Sequence, residues 1–210
     1  MIIVFARAPL AGQAKTRLIA RLGAWRAARL HERLTRHAVR TALLTGDDVE
    51  VHGTRRHAFF RGLEVPFRLQ RGRDLGERMH RAFSRNPGAI LIGTDCPELT
   101  PADLRRAARF LSAGYDAVLA PAEDGGYALI GLKKSRLELF RGIAWSGERV
   151  YGDTVQRLAG YRWRALRRVW DVDRPQDLER VRWLRLASAS RRGARRSRGS
   201  RARSGGSGRP

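Results

Sequence analysis

The chain has a single cysteine, Cys96, so no intrachain disulfide can form and nothing points to an oxidising compartment. It also lacks any apolar run approaching the roughly 20 residues that span a bilayer. The opening run Met1 to Phe5 is apolar but too short for a signal-peptide core, and no basic stretch precedes it. These absences predict a soluble, cytoplasmic protein with no transmembrane segment. Lysine is nearly missing: of 43 basic residues only Lys15, Lys133 and Lys134 are Lys, and the rest are Arg. That skew matches a GC-rich coding bias. Acid is scarce, and the 20 Asp and Glu leave a formal net charge of +23. The excess suits phosphate-bearing partners. It argues only slightly for nucleic acid, because the five Trp and seven Phe are spread without the aromatic-basic interleaving of a single-strand binder. The five His show no metal-ligand spacing and are expected at surface or boundary positions.

What is present is enough for a sizeable core. Hydrophobic residues make up 42% of 210, which excludes wholesale disorder, collagen-like repeats and a disulfide-stapled mini-protein. Residues 1–187 read as one catalytic domain. Residues 188–210 are Arg, Ser and Gly with eight Arg and no acid, and read as a disordered tail. The tail is either an extension without a selected role or a tether to RNA or anionic surfaces.

Within residues 1–187, short apolar runs alternate with helical spacing. Strands are expected at Ile2 to Phe5, Asp48 to Gly53, Val65 to Leu69, Ala89 to Gly93, Asp116 to Ala120, Tyr127 to Gly131 and within Tyr161 to Val172. A helix is expected from Lys15 to about Thr45, with Leu30, Leu34, Ala38 and Leu43 near one face. Others are expected over Leu75 to Ser84, 147–159 and Pro175 to Leu186. Thr100-Pro101-Ala102-Asp103 starts another: Thr caps, Pro takes the first helical position and Asp lies in the first turn. Such alternation implies a mainly parallel sheet covered on both faces, with ligands beyond the carboxyl ends of its strands.

Four loops that follow strands therefore carry the candidate chemistry. In the first, Gly12 allows close backbone approach, a helix start offers free N–H groups, and Arg7, Lys15 and Arg17 add charge. With Thr16 they suit a diphosphate, although the GxxxxGK(S/T) pattern is absent. In the second, Asp95 directly follows an apolar strand, where a carboxylate suits a divalent cation on phosphate oxygens or else caps the turn. Cys96 has no His nearby in sequence to activate it. In the third, Asp124 precedes Gly125 and Gly126. This is either a plain turn or a substrate loop in which Asp124 orients an acceptor, acts as base or assists a metal. In the fourth, Asp171 and Asp173 point the same way if extended, with helix capping by Asp173 as the alternative.

Read together, FARAPLAGQAKTRL (5–18), DLGERM (74–79), IGTDCPEL (92–99), PAEDGGY (121–127) and LIGL (129–132) resemble the DUF2064 proteins over about residues 2–184. That family is regarded as glycosyltransferases of the three-layer nucleotide-diphospho-sugar transferase (GT-A, Rossmann-like) fold, some linked to arsenosugar biosynthesis. Its wider superfamily includes guanylyltransferases of molybdenum-cofactor and phospholactate chemistry and sugar-acid cytidylyltransferases. The resemblance implies that Asp95 and Asp173 hold Mg2+ or Mn2+ on nucleotide phosphates. It implies that Gly12, Lys15 and Arg17 bind phosphate, and that Asp74 and Gly76 lie near the base or ribose. Trp145-Ser146-Gly147 departs from the family's Trp-Ser-Thr, at a segment expected to touch the acceptor. The implied activity is glycosyl transfer from a nucleotide-diphosphate sugar to a small-molecule acceptor. The alternatives are nucleotidyl transfer from a nucleoside triphosphate with release of pyrophosphate, and a basic nucleic-acid-binding protein on an inactive scaffold.

Overall fold

The computed structural model describes residues 1–145 and 147–181. The expected tail at 188–210 lies outside the described residues, as does the end of the domain read to residue 187. Strand β1 (Ile2–Ala6) is fully buried, as its β-branched run requires. A 3-10 turn (Thr16–Leu18) and helices α1 (Ile19–Leu22) and α2 (Ala24–Leu43) follow. Next come β2 (Val49–Gly53), α3 (Ala58–Arg61), β3 (Phe67–Leu69), α4 (Leu75–Arg85) and β4 (Ile90–Ile92). The chain continues with α5 (Pro101–Ser112), β5 (Ala117–Pro121), β6 (Tyr127–Leu132), α6 (Val150–Arg157) and β7 (Trp163–Ala165).

The seven strands form one sheet in the order β3-β2-β1-β4-β6-β5-β7. Only β6 runs against the rest, pairing antiparallel with both β4 and β5. The six parallel strands therefore end on one rim. The reversal at β6 puts the β5–β6 loop on the same rim, although no helix separates those strands.

Alternation along β1 sorts the core into two layers. Ile2, Val4 and Ala6 face Ala38, Val39, Leu104 and Ala107 of α2 and α5. Ile3 and Phe5 face Met79, Ala82 and Phe83 of α4. A third cluster joins Leu18, Ala27, Leu30 and Leu34 to Val172, Leu178 and Val181. It fastens the loop after β1 to the segment after β7. Burying a Leu or Val in it stabilises the fold by roughly 1.5–3 kcal/mol.

Several expectations are corrected. The single helix from Lys15 to Thr45 is broken at Gly23, whose φ of 77° is open to glycine. Leu30, Leu34 and Ala38 are buried as read, but Leu43 is 49% exposed because the buried face passes through Thr41 and Ala42 instead. The expected helix from Pro175 to Leu186 is a 3-10 turn over Pro175–Leu178, with residues 182–186 outside the described residues. His31 and His52 are buried rather than at the surface or a boundary. His52 stacks on Phe5 and lies 3.1 Å from a Glu50 carboxylate oxygen, which satisfies it inside the core. Among the described residues no helix is long and apolar enough to cross a membrane.

Candidate active site

The rim brings the loops after β1, β4 and β5 together with the segment after β7. Backbone hydrogen bonds tie the loops after β4 and β5 to the segment after β7, and side chains tie the β1 loop to them. Val172 N–H donates to the Asp95 carbonyl at 2.8 Å, and Glu123 N–H donates to the Val169 carbonyl at 3.0 Å. Ala122 and Val169 form a further parallel bridge. The carboxylates of the three loops are thus held near one another by main-chain bonds.

The loop after β1 turns at Gly12, whose φ is 83°. A Cβ there would meet nothing, so glycine is used for its conformation rather than for space. Lys15 is also left-handed, at φ 52°, an uncommon state for a side chain larger than Asn. This backbone turns its ammonium inward. Lys15 Nζ donates to the Val172 carbonyl at 2.5 Å and lies 2.7 Å from Asp95 Oδ1. The Lys15 side chain is 3% exposed and that of Asp95 is 51% exposed. Arg17 reaches Asp173, its guanidinium donating to Oδ2. Arg7, Thr16 and Gly12 are exposed on the same loop.

The alternative roles of these acids separate clearly. Asp173 does not cap the following turn: Asp177 Oδ2 accepts from the Asp173 and Arg174 N–H groups at 3.0 and 2.6 Å, leaving the Asp173 carboxylate to Arg17. Asp124 does serve its own turn, with Oδ1 accepting from Gly126 N–H at 2.9 Å and the side chain exposed. A Cβ on Gly125 would lie 2.0 Å from the Glu148 carbonyl, so the segment after Trp145 packs directly over this turn. Tyr151 N–H donates to the Gly125 carbonyl at 2.9 Å and fixes that packing.

Electrostatics mark a region of concentrated negative charge. Burial raises the Asp171 carboxyl, the like charges of Asp124 and Asp173 raise it further, and it is pushed up to about 6. Burial and the charges of Asp95, Asp171 and Asp124 push the Cys96 thiol well up, so little thiolate forms. Burial also opposes ionisation of Asp95, but Lys15 and His31 overcome it and hold its carboxyl below the ordinary range. His31 was not singled out by sequence reasoning, since nothing in its spacing ties it to Asp95. Its Nε2 lies 3.1 Å from the Arg7 carbonyl, and its buried Nδ1 lies 3.9 Å from Asp95 Oδ1. Among the described residues Nδ1 is the one buried side-chain nitrogen or oxygen without a hydrogen-bond partner. Burial lowers the pKa of this imidazole, against the pull of Asp95.

Two expected site residues lie off this centre. Asp74 caps α4, accepting from Glu77 N–H at 2.8 Å. It follows β3 and so stands on the same rim. Gly76 is a packing residue within α4: a Cβ would meet Trp145 Cζ2 at 2.7 Å and the Phe140 carbonyl at 2.8 Å. Trp145 is half-buried against Phe140, and its neighbour Ser146 is outside the described residues.

A divalent cation suits this donor set in one particular way. Among the described residues no three His, Cys, Asp or Glu form a metal-holding group. Mg2+, however, is commonly held by one or two carboxylates plus substrate phosphates. Asp95 and Asp173 are hard oxygen donors, each facing a full positive charge at a place where a cation is stabilised.

A largely parallel sheet with one reversed strand, bearing acids and a glycine-containing basic loop along one rim, defines a protein of the nucleotide-diphospho-sugar transferase fold. The chain belongs to the DUF2064 family, described as an uncharacterized protein conserved in bacteria, whose model matches residues 29–147. A crystal structure from Desulfovibrio desulfuricans G20, provisionally called a nucleotide-diphospho-sugar transferase, is 30% identical, with a TM-score of 0.79 over 92% of this chain and 90% of that one. A cytidylyltransferase from Leptospira borgpetersenii serovar Hardjo-bovis (strain JB197) has a TM-score of 0.60 at 14% identity, over 86% of this chain and 83% of that one. CMP:2-keto-3-deoxy-manno-octonic acid synthetase, solved with CTP, has a TM-score of 0.55 at 14% identity, over 89% and 98%. The last two share the fold alone. No protein with a curated function matches the sequence. These likenesses support a transferase-type fold of the nucleotide-diphospho-sugar transferase kind.

Proposed function

We propose that the protein transfers a glycosyl group from a nucleotide-diphosphate sugar to a small-molecule acceptor, with Mg2+ or Mn2+ bound. One observation carries the reading: the two cations of the β1 loop, Lys15 and Arg17, sit directly on two carboxylates of the rim, Asp95 in the loop after β4 and Asp173 in the segment after β7. Anion-binding and cation-binding groups thus share one centre, as a metal–diphosphate ligand requires. The 30% identical relative from Desulfovibrio desulfuricans, with its provisional name, supports sugar transfer as the reaction.

In this reading Asp95 and Asp173 hold the metal, which when bound supplies positive charge against the departing diphosphate. Arg17 and Lys15, with exposed Arg7, Thr16 and the backbone at Gly12, stabilise the same phosphates where negative charge develops. Asp124 takes the proton of an acceptor hydroxyl in this reading; it is exposed, and one carboxylate oxygen is not engaged by Gly126 N–H. Gly125, Gly126 and Trp145 border the acceptor side; Asp74, at the head of α4 on the same rim, lies toward the nucleoside, and Gly76 acts behind it by letting Trp145 and Phe140 pack on α4.

The test is product analysis. The full chain with Mn2+, a panel of nucleotide sugars and a mixed acceptor pool is expected to release nucleoside diphosphate. Release of pyrophosphate from a nucleoside triphosphate, with nucleotide sugars inert, replaces this reading with nucleotidyl transfer. Neither product, together with salt-sensitive RNA binding, replaces both with a nucleic-acid-binding scaffold.

A further inference from the structure

Lys15 and Arg17 occupy the carboxylates that a metal needs. The Lys15 side chain is 3% exposed, and its ammonium sits between the Asp95 carboxylate and the Val172 carbonyl, the point where the loops after β4 and β7 are stitched together. The Arg17 guanidinium lies on Asp173 one residue further on. Each cation is therefore committed to an acid, and each acid to a cation. The partners differ in one way: Asp95 is half exposed and Asp173 a third exposed, while Arg17 is 64% exposed and Lys15 is not.

Resting on the proposed function, we infer that Lys15 and Arg17 are resident counter-cations that a metal and a diphosphate must displace jointly, so that each ligand favours the other. A metal arriving alone meets carboxylates already neutralised. A diphosphate arriving alone meets cations already paired. When both arrive, the metal replaces the two cations on the acids and the cations turn to the phosphates. Four charges then exchange partners, and none is left buried alone. Lys15 and Arg17 thereby act as positioning residues that couple the two ligands, in addition to contacting phosphate. Linkage makes the coupling reciprocal.

Arg17→Gln is the chosen variant, because Arg17 is exposed and its loss leaves no buried charge unpaired. Mn2+ binding to the full chain is followed by the paramagnetic resonance of free Mn2+. Binding of metal-free inorganic pyrophosphate is measured separately by calorimetry. The variant is expected to bind Mn2+ alone about tenfold more tightly than wild type, inside the ~5–150-fold range of coupled sites. It is expected to bind pyrophosphate about tenfold more weakly, and adding Asp173→Asn should erase the Mn2+ gain. Movement of both ligands in the same direction overturns the inference. So does an unchanged Mn2+ affinity in Arg17→Gln when Asp95→Asn abolishes Mn2+ binding, and that result leaves the proposed metal site standing. Mn2+ binding to neither wild type nor Arg17→Gln, while nucleotide sugars still bind, overturns both this inference and the metal dependence of the proposed function.

Discussion

Asp171 illustrates how much a single residue's surroundings decide. In sequence it is one acid of a pair. In the fold it is half-buried beside Asp124 and Asp173, and its carboxyl is pushed up to about 6 from an ordinary 3.8. Between those values the native protein binds more protons than the unfolded chain. This group's contribution therefore makes stability fall as pH rises from about 4 to about 6. Asp171→Asn is expected to raise Tm relative to wild type at pH 8 and to match it near pH 3.5. Equal melting temperatures at pH 8 would contradict the like-charge cluster. Asp95→Asn has the opposite sign, because it strips a buried ammonium of its partner. A loss of about 1–3 kcal/mol is expected by urea denaturation, below the ~3–5 of a fully buried pair because Asp95 is half exposed. The sequence showed which acids follow strands, so Asp95 and Asp173 were legible. It did not show that Lys15 turns inward or that His31 is buried beside Asp95. Those facts depend on a left-handed backbone at a non-glycine residue and on the phase of α2, neither of which residue type specifies.

At the scale of elements, local chemistry was the most legible. Thr100, Pro101 and Asp103 form the expected helix start, and the capping is reciprocal: Asp103 N–H donates to Thr100 Oγ1 at 3.2 Å, and Thr100 N–H donates to Asp103 Oδ2 at 3.0 Å. Thr100→Ala is expected to cost about 1 kcal/mol without changing ligand affinity. A lost affinity would mean that α5 positions the Asp95 loop more strongly than its contacts indicate. The fastening of the β1 loop was not legible, since it joins Leu18 to Val172 across most of the chain. Leu18→Ala should destabilise by about 2–5 kcal/mol and weaken diphosphate binding as well, because the loop loses its anchor. Normal binding at reduced stability would separate the anchor from the site. Gly23 was readable as a helix breaker but was absorbed into a longer helical pattern. The β5–β6 hairpin agrees with one of the two readings of this segment, a plain turn between strands; residue type alone does not separate that turn from a substrate loop.

For the whole molecule, alternating strands and helices led correctly to a mainly parallel sheet, and the loops expected to carry the chemistry lie along one rim of it. The strand order did not follow, because β6 between β4 and β5 is set by tertiary pairing over long separations. The charge of +23 includes eight Arg without acid at residues 188–210 and says little about the site, where Asp95, Asp124, Asp171 and Asp173 gather. That contrast favours a small polyphosphate carried with a metal over a nucleic-acid backbone. The most direct test of the central claim is a thermal-shift comparison of the full chain with Mn2+ and either nucleotide sugars, nucleoside triphosphates or nucleoside diphosphates. A nucleotide sugar at about 100 times its dissociation constant should stabilise the protein by about 2.7 kcal/mol in the presence of Mn2+, and markedly less without it. Stabilisation by no nucleotide of any class, with or without metal, would contradict the account.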